Sequence, residues 1–563
     1  MSWKLIENAD RRLAGETALL RPPSGGDVRV ALGYPNTYHV GMSNLGMQAV
    51  YGFLNRIPGV SCERFYLPDP DELREYELSG RRLFTLESQR PVGDFDVVAF
   101  SVAYEHDYVN LALLLDLAGL PLFGRERSQD HPLVLVGGAI TLLDPEPIAD
   151  FVDVFCLGEG EGMVERLVET LRRRRGRPRR DLLVEIAQVP GFYVPSLYRP
   201  HYEAGRFAGL EPLEGAPERL HRNYLPPERF RECLTASHLL TEDTEFGRTG
   251  LVEVSRGCPY VCRFCTVGFS YPRVRWKPLD LVWEVIEGLL EHTDRVGLIS
   301  ASVGNHPQIE DLCHRLLDRG VSVSFSSLRA DRLPDALLEA LVRGGSQTLT
   351  LAPEVGSDEL RKAINKRFTD QQYLDAARRA FRHGVRNIRM YSMVGLPGER
   401  DEHGDALVRL VRETRALQRE EGQGAGRITL SMGQFVPKPV TPFQWAAMAT
   451  RKVAEARMKR VERALGGVGG VQVNHESPRW AMLQGLLARG DRRYARVIAS
   501  VYRDPSFRAW MRAFDEEGID VDREAFEERD PSRPLPWEHL GSSWSPERLG
   551  KDRDRAARTA SGT

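Results

Sequence analysis

The chain has 563 residues, 42% hydrophobic and 28% charged, with 77 basic against 79 acidic side chains and a formal net charge of −2. Such a composition belongs to a folded protein of about three or four domains, and near neutrality supplies no global field for nucleic acid. Seven cysteines are too few for a disulfide scaffold; free thiols suit a reducing compartment, so the cytoplasm is the expected location.

Residues 1–8 contain no apolar signal core. The apolar stretch 111–123 includes Asp116 and is too short to span a bilayer, so no membrane segment is expected. Strand patterns at 27–32, 96–102, 132–136 and 152–157 alternate with helical patterns near 47–55, 106–117 and 161–173. This alternation predicts a Rossmann-like, doubly wound α/β domain over residues 1–195. Ligands of such sheets bind beyond the carboxyl ends of the strands. Those ends carry Ser101, then Gly137-Gly138-Ala139, then Gly158-Glu159-Gly160-Glu161.

With the run Gly33-Tyr34-Pro35-Asn36-Thr37-Tyr38 and Gly41-Met42-Ser43-Asn44-Leu45-Gly46, these turns resemble the N-terminal B12-binding-type domain of radical S-adenosylmethionine (SAM) proteins. The resemblance implies cobalamin near Ser101, Gly137, Gly138 and Glu159. It departs from the family's D-x-H-x-x-G motif, because Thr37 and Met42 stand at the Asp and Gly positions around His39. His39 is therefore read as a loop histidine, and cobalamin binding stays open. The arginine-rich run 171–180 reads as a solvated helix end; it lacks the interleaved aromatics of an RNA-binding stripe. Residues 196–248 read as a connector, with short strands near 192–207 and a Pro/Glu/Arg-rich strap over 214–229.

From Gly250 onward the pattern strand-then-helix repeats six times. Strands are expected at 251–254, 296–301, 321–326, 347–351, 387–393 and 427–434. After the first strand comes Cys258-Pro259-Tyr260-Val261-Cys262-Arg263-Phe264-Cys265, a C-x3-C-x2-C loop. Three thiolates on one loop suit zinc or an iron–sulfur cluster. Zinc structural sites want four protein ligands, and no cysteine follows the loop before Cys313. A cubane normally takes four cysteines, so three leave one iron open.

The C-x3-C-x-aromatic-C loop after a first barrel strand resembles the radical SAM superfamily. The resemblance implies a partial (β/α)6 barrel over 249–440 and a [4Fe–4S] cluster on Cys258, Cys262 and Cys265. It implies SAM bound at the strand ends, cleaved to a 5′-deoxyadenosyl radical with one electron from an external flavodoxin- or ferredoxin-type reductant. The positional candidates for SAM are Phe264, Ser300 and Ser302, Arg329, Glu354, and the Gly395-Leu396-Pro397-Gly398-Glu399 turn. Ser300 and Ser302 stand where many family members have Gly-Gly-Glu.

Residues 441–530 read as a mainly helical region and 531–563 as a mobile charged tail. Three functional readings follow: a radical SAM enzyme, in its cobalamin-dependent form a methylase or an enzyme of rearrangement, acting on an unknown substrate; a methylthiotransferase of RNA or protein; and a non-enzymatic RNA-binding protein with a structural metal. The second needs another cluster from Cys62, Cys156 and Cys233, which lie far apart in sequence. Nucleic acid is not expected as a partner.

Overall fold

The computed structural model describes residues 3–173, 176–271 and 273–561. Arg174 and Arg175 of the arginine run lie outside the described residues. The chain forms two compact units: residues 1–249 with 487–521 and 532–542, and residues 250–486 with 522–531 and 543–563.

The first unit is built on a six-stranded sheet: β1 (Val28–Tyr34), β2 (Val60–Tyr66), β3 (Val97–Ser101), β4 (Leu133–Gly137), β5 (Val154–Cys156) and β6 (Phe192–Tyr193). Their order is β2-β1-β3-β4-β5-β6. The first five are parallel and β6 is antiparallel to β5. Val98, Val134, Val136, Val154 and Phe155 are fully buried, as strands covered on both faces require. The order reverses between β1 and β3, the switch point of a doubly wound sheet.

β2 escaped the sequence pattern because Glu63 and Arg64 interrupt its apolar run. Arg64 is nevertheless buried, 2.7 Å from Glu16 and from Glu87. The connector is also more structured than a linker. Tyr198–Glu203 and Arg206–Pro212 form a hairpin, and Asn223 pairs with Gly158 beyond β5. Leu239–Leu240 pairs with Thr17–Ala18.

The expected helical region 441–530 is divided. Helices Arg493–Val501 and Phe507–Glu516 belong to the first unit. Arg492 binds the buried Glu146 carboxylate at 2.7 Å and donates to the carbonyls of Pro195 and Tyr198. Tyr193 also donates to Glu146, at 2.5 Å.

The second unit holds seven parallel strands. β7 (Gly250–Glu253), β8 (Arg295–Ile299) and β9 (Ser322–Phe325) pair in that order. β10 (Thr348–Glu354), β11 (Asn387–Val394), β12 (Ile428–Gln434) and β13 (Val471–His475) form the second group. The six expected βα units are present, and β13 extends them by one strand after helix Arg451–Leu465.

The expected mobile tail is instead helical over Pro546–Ser561. Leu549, Ala556 and Ala560 are buried, and both alanines pack into an apolar cluster with Ile364, Leu396, Phe435 and Phe443. Charged residues dominate the segment, but its apolar positions at i, i+7 and i+11 fall on one helix face.

Burial alone would raise the Glu146 carboxyl, but Arg492, followed by His539 and Tyr193, lowers it from 4.5 to about 2. A carboxyl lowered on folding adds stability that is complete above pH 4.5 and fades as the pH falls toward 2. Glu146→Gln is expected to cost about 3–5 kcal/mol at pH 7 by stranding a buried arginine. Denaturation curves check this, and the gap between wild type and variant is expected to shrink below pH 4.

Candidate active site

β7 delivers the chain to the cysteine loop through a tight passage. Ser255–Arg256 pairs with Arg275–Trp276. Gly257 then turns at φ +85°, where an added Cβ would lie 2.9 Å from the Arg273 carbonyl oxygen, so only glycine fits. Cys262 is buried and Cys258 and Cys265 are half-buried. The Cys265 amide donates to the Cys262 carbonyl at 3.0 Å, closing the last turn.

Burial pushes all three thiols up, Cys262 to about 11. Each also feels the field of another: Cys262 acts on Cys258, Cys265 on Cys262, and Cys258 on Cys265. Lys366 opposes these effects at all three, and Arg329 at Cys258 and Cys262. The loop offers three cysteines, one short of the four protein ligands of a structural zinc site and enough for three irons of a cubane. Clustered, desolvated thiols beside two cations fit an anionic cluster.

Arg329 stacks on Tyr260, its guanidinium carbon 3.6 Å from the ring centroid, and its Nη1 lies 4.0 Å from Cys262 Sγ. Asp331 holds the same guanidinium with two hydrogen bonds of 2.9 and 3.1 Å. The geometry thus gives Arg329 a cysteine and an aspartate as neighbours. Ser300 and Ser302 are buried and satisfied internally. Ser300 Oγ lies 2.5 Å from Ser255 Oγ and accepts from the Ser302 amide at 3.0 Å. Ser302 donates to Asn305 at 2.5 Å, which in turn donates to Tyr260 at 3.1 Å. This chain of hydrogen bonds braces the strand ends behind the cysteine loop.

Glu354 ends β10 at φ +65°, beside a register irregularity between Leu351 and Glu354. A glutamate in this left-handed region costs about 1–3 kcal/mol and persists only where its surroundings enforce it. Arg361 is the enforcing group. Fully buried, it donates to the carbonyls of Pro353 (3.3 Å) and Val355 (3.2 Å), on either side of Glu354. It also donates to the Phe368 carbonyl (3.1 Å) and pairs with Asp358 and Asp370. The result aims Glu354 at Lys366, 2.6 Å away.

Two candidates take up packing roles. Phe264 joins the apolar cluster around Ile364, Leu396 and Phe443. Glu399 turns back to accept from the Gly395 amide and pairs with Arg457 at 2.7 Å. It shapes the Gly395–Glu399 turn from within.

Sequence reasoning missed Lys366, Arg361 and Arg263. Arg263 is 2% exposed and caps helix Asp358–Ala363, donating to the Ala363 carbonyl at 2.6 Å and pairing with Asp552 at 2.8 Å. The Asn365 side chain donates to the Val261 carbonyl at 2.8 Å. The Arg263 and Asn365 contacts join segments 100 or more residues apart, so no local spacing signals them.

The N-terminal candidates divide. Glu159 is buried, and its carboxylate accepts from the Leu225 amide at 2.6 Å. Gly158 needs φ +109° because Asn223 crosses so close that a Cβ would meet its oxygen at 2.2 Å. The connector therefore covers this strand end, and Glu159 does not fit a cobalamin cradle. Ser101 is buried beside Gly137 in register, whereas Gly138 is exposed and Gly137 half-exposed. His39 is held by Asp243 at 2.8 Å and Glu245 at 3.5 Å.

Residues 252–411 match the family model for the radical SAM superfamily, and residues 46–195 match that for the N-terminal region of radical SAM proteins. The chain belongs to the radical SAM superfamily. It is an enzyme, and membership implies a [4Fe–4S] cluster, SAM and an external reductant; the reading as a non-enzymatic protein with a structural metal falls away. A protein of Methanocaldococcus jannaschii is 27% identical over 503 residues, 87% of this chain and 97% of that one. A ribosomal-protein methylthiotransferase of Treponema denticola is 22% identical over 39% of this chain and 51% of its own length. The radical SAM methyltransferase TsrM of Kitasatospora setae, solved with cobalamin and a [4Fe–4S] cluster, superposes with a TM-score of 0.49 at 12% identity, covering 87% and 99% of the two chains.

Strain at Glu354 is directly testable. Glu354→Gly and Glu354→Ala both strand Lys366, but only glycine tolerates φ +65°. The glycine variant is expected to be about 1 kcal/mol more stable than the alanine variant, as read by chemical denaturation.

Proposed function

We propose that this radical SAM enzyme holds its cluster through Cys258, Cys262 and Cys265 and binds SAM beside Glu354. When bound, the cluster supplies one electron that cleaves SAM to methionine and a 5′-deoxyadenosyl radical. The observation that carries the reading is the set of three buried or half-buried thiols on one C-x3-C-x2-C loop, with Arg329 Nη1 4.0 Å from Cys262 Sγ. Arg329 and Lys366 offset the charge of the thiolates. Glu354 Oε1 engages Lys366; its second oxygen would be the one to hold the SAM ammonium or ribose hydroxyls.

Cys258→Ala, Cys262→Ala and Cys265→Ala are each expected to abolish 5′-deoxyadenosine formation and to lower iron content after anaerobic reconstitution. Chromatographic detection of appreciable 5′-deoxyadenosine from any of them would contradict the assignment.

A methylthiotransferase reading is disfavoured on geometry. Cys62 lies on β2 and Cys156 on β5, four strand positions apart in the sheet, or roughly 19 Å at ~4.8 Å per strand. No single cubane spans that gap. A second reading adds cobalamin at the first unit and methyl transfer or rearrangement as the chemistry. It is supported by the doubly wound order and by the ends of β3 and β4, where Tyr104 is 45% exposed and Gly138 is exposed. His39 is engaged by its acidic neighbours, so no imidazole from that loop enters this reading. Protein produced with hydroxocobalamin is expected to retain a corrinoid absorption spectrum through gel filtration; a colourless product overturns it.

All seven cysteines are free thiols, in keeping with a cytoplasmic location, and no helix among the described residues is long and apolar enough to cross a membrane. A flavodoxin- or ferredoxin-type donor suits the single-electron step, and nucleic acid is not invoked as a partner.

A further inference from the structure

Behind the cysteine loop, helix Asp358–Ala363, the segment after it and helix Pro546–Ser561 enclose a cleft of about 900 Å³. Its charge is lopsided. Asp358 and Glu359 line it, but Asp358 is paired with Arg361 at 2.5 Å and Glu359 with Arg400 at 3.1 Å. Two of its cations are also consumed, Arg263 by Asp552 and Lys366 by Glu354. Lys362, Arg367 and Arg555 remain. All three are exposed and have no carboxylate partner among the described residues. In a chain of net charge −2 this is a local concentration of positive charge.

The cleft is also close to the thiols. Arg263, in its lining, directly follows Cys262 and its amide donates to the Ile364 carbonyl at 3.0 Å, and Asn365, also in the lining, donates to the Val261 carbonyl at 2.8 Å. The only aromatic side chain in the lining, Phe368, is 3% exposed, so the cleft offers no stacking platform for bases. Exposed cations around a concave surface complement an acidic protein face and raise its rate of encounter.

We propose that this cleft is the docking surface for an acidic one-electron carrier protein of flavodoxin type. The proposal rests on the radical SAM reading. The carrier is oxidised by one electron and the cluster is reduced by one, with no bond formed between the two proteins.

The test uses full-length protein and a purified bacterial flavodoxin as probe. The triple variant Lys362→Glu/Arg367→Glu/Arg555→Glu is expected to bind flavodoxin at least about tenfold more weakly by fluorescence anisotropy. Wild-type binding is expected to weaken between about 50 and 300 mM salt. The neutral variant Lys362→Gln/Arg367→Gln/Arg555→Gln is expected to fall between. Flavodoxin-driven SAM cleavage should drop in step, while dithionite-driven cleavage stays at the wild-type rate. Unchanged flavodoxin affinity in the charge-reversed protein overturns the proposal. So does a tRNA gel shift that this variant abolishes while flavodoxin binding is unaltered, which would make the cleft a nucleic-acid surface. Wild-type protein that cleaves no SAM with dithionite counts against the radical SAM reading; the flavodoxin affinities judge the docking surface separately.

Discussion

Three thiols crowded onto an eight-residue loop and withdrawn from water resist ionisation, and much of the second unit answers that constraint. Desolvation and mutual repulsion both push their pKa values upward. A cluster needs thiolates, so countercharge has to be held nearby in a low-dielectric setting where it acts strongly. Arg329 and Lys366 provide it, one from the end of β9 and the other from beyond β10. Neither could stand there alone. Asp331 and Tyr260 fix the arginine, and Glu354 fixes the lysine.

That second pair is bought with backbone strain at Glu354, and the strain is contained by Arg361. One buried guanidinium binds the carbonyls on both sides of the strained residue and a third near Phe368. It thus ties the end of β10 to the stretch that carries Lys366. Arg263 does the corresponding work for the cysteine loop, capping the carbonyl end of helix Asp358–Ala363 while Asp552 neutralises it. Buried arginines with several partners recur in the first unit, where Arg64 is held by the Glu16 and Glu87 carboxylates and Arg492 by Glu146 and two carbonyls. In each case planar, always-charged donors satisfy groups that a lysine could not reach together.

The first unit places its connector where a ligand was expected. Asn223 and Leu225 occupy the turn after β5, leaving the ends of β3 and β4 as its open strand ends. At Gly158 the close backbone approach that glycine permits is made by the chain itself.

By itself the sequence determined the two α/β units, most strand positions, the cysteine loop and the family. These depend on short-range patterns: apolar runs of strand length, turn glycines and a fixed cysteine spacing. Only the tertiary structure decided the rest. It brought Lys366 to the cysteines, made Phe264 and Glu399 packing groups, and turned Ser300 and Ser302 inward. It converted a charged terminal segment into a helix seated on the cysteine loop's support. It also found β2, whose charges looked like a loop until Glu16 and Glu87 paired with Arg64. The charged groups among these share one physical reason. A charged side chain advertises solvent in sequence, and whether it is instead buried depends on partners that folding delivers from elsewhere in the chain.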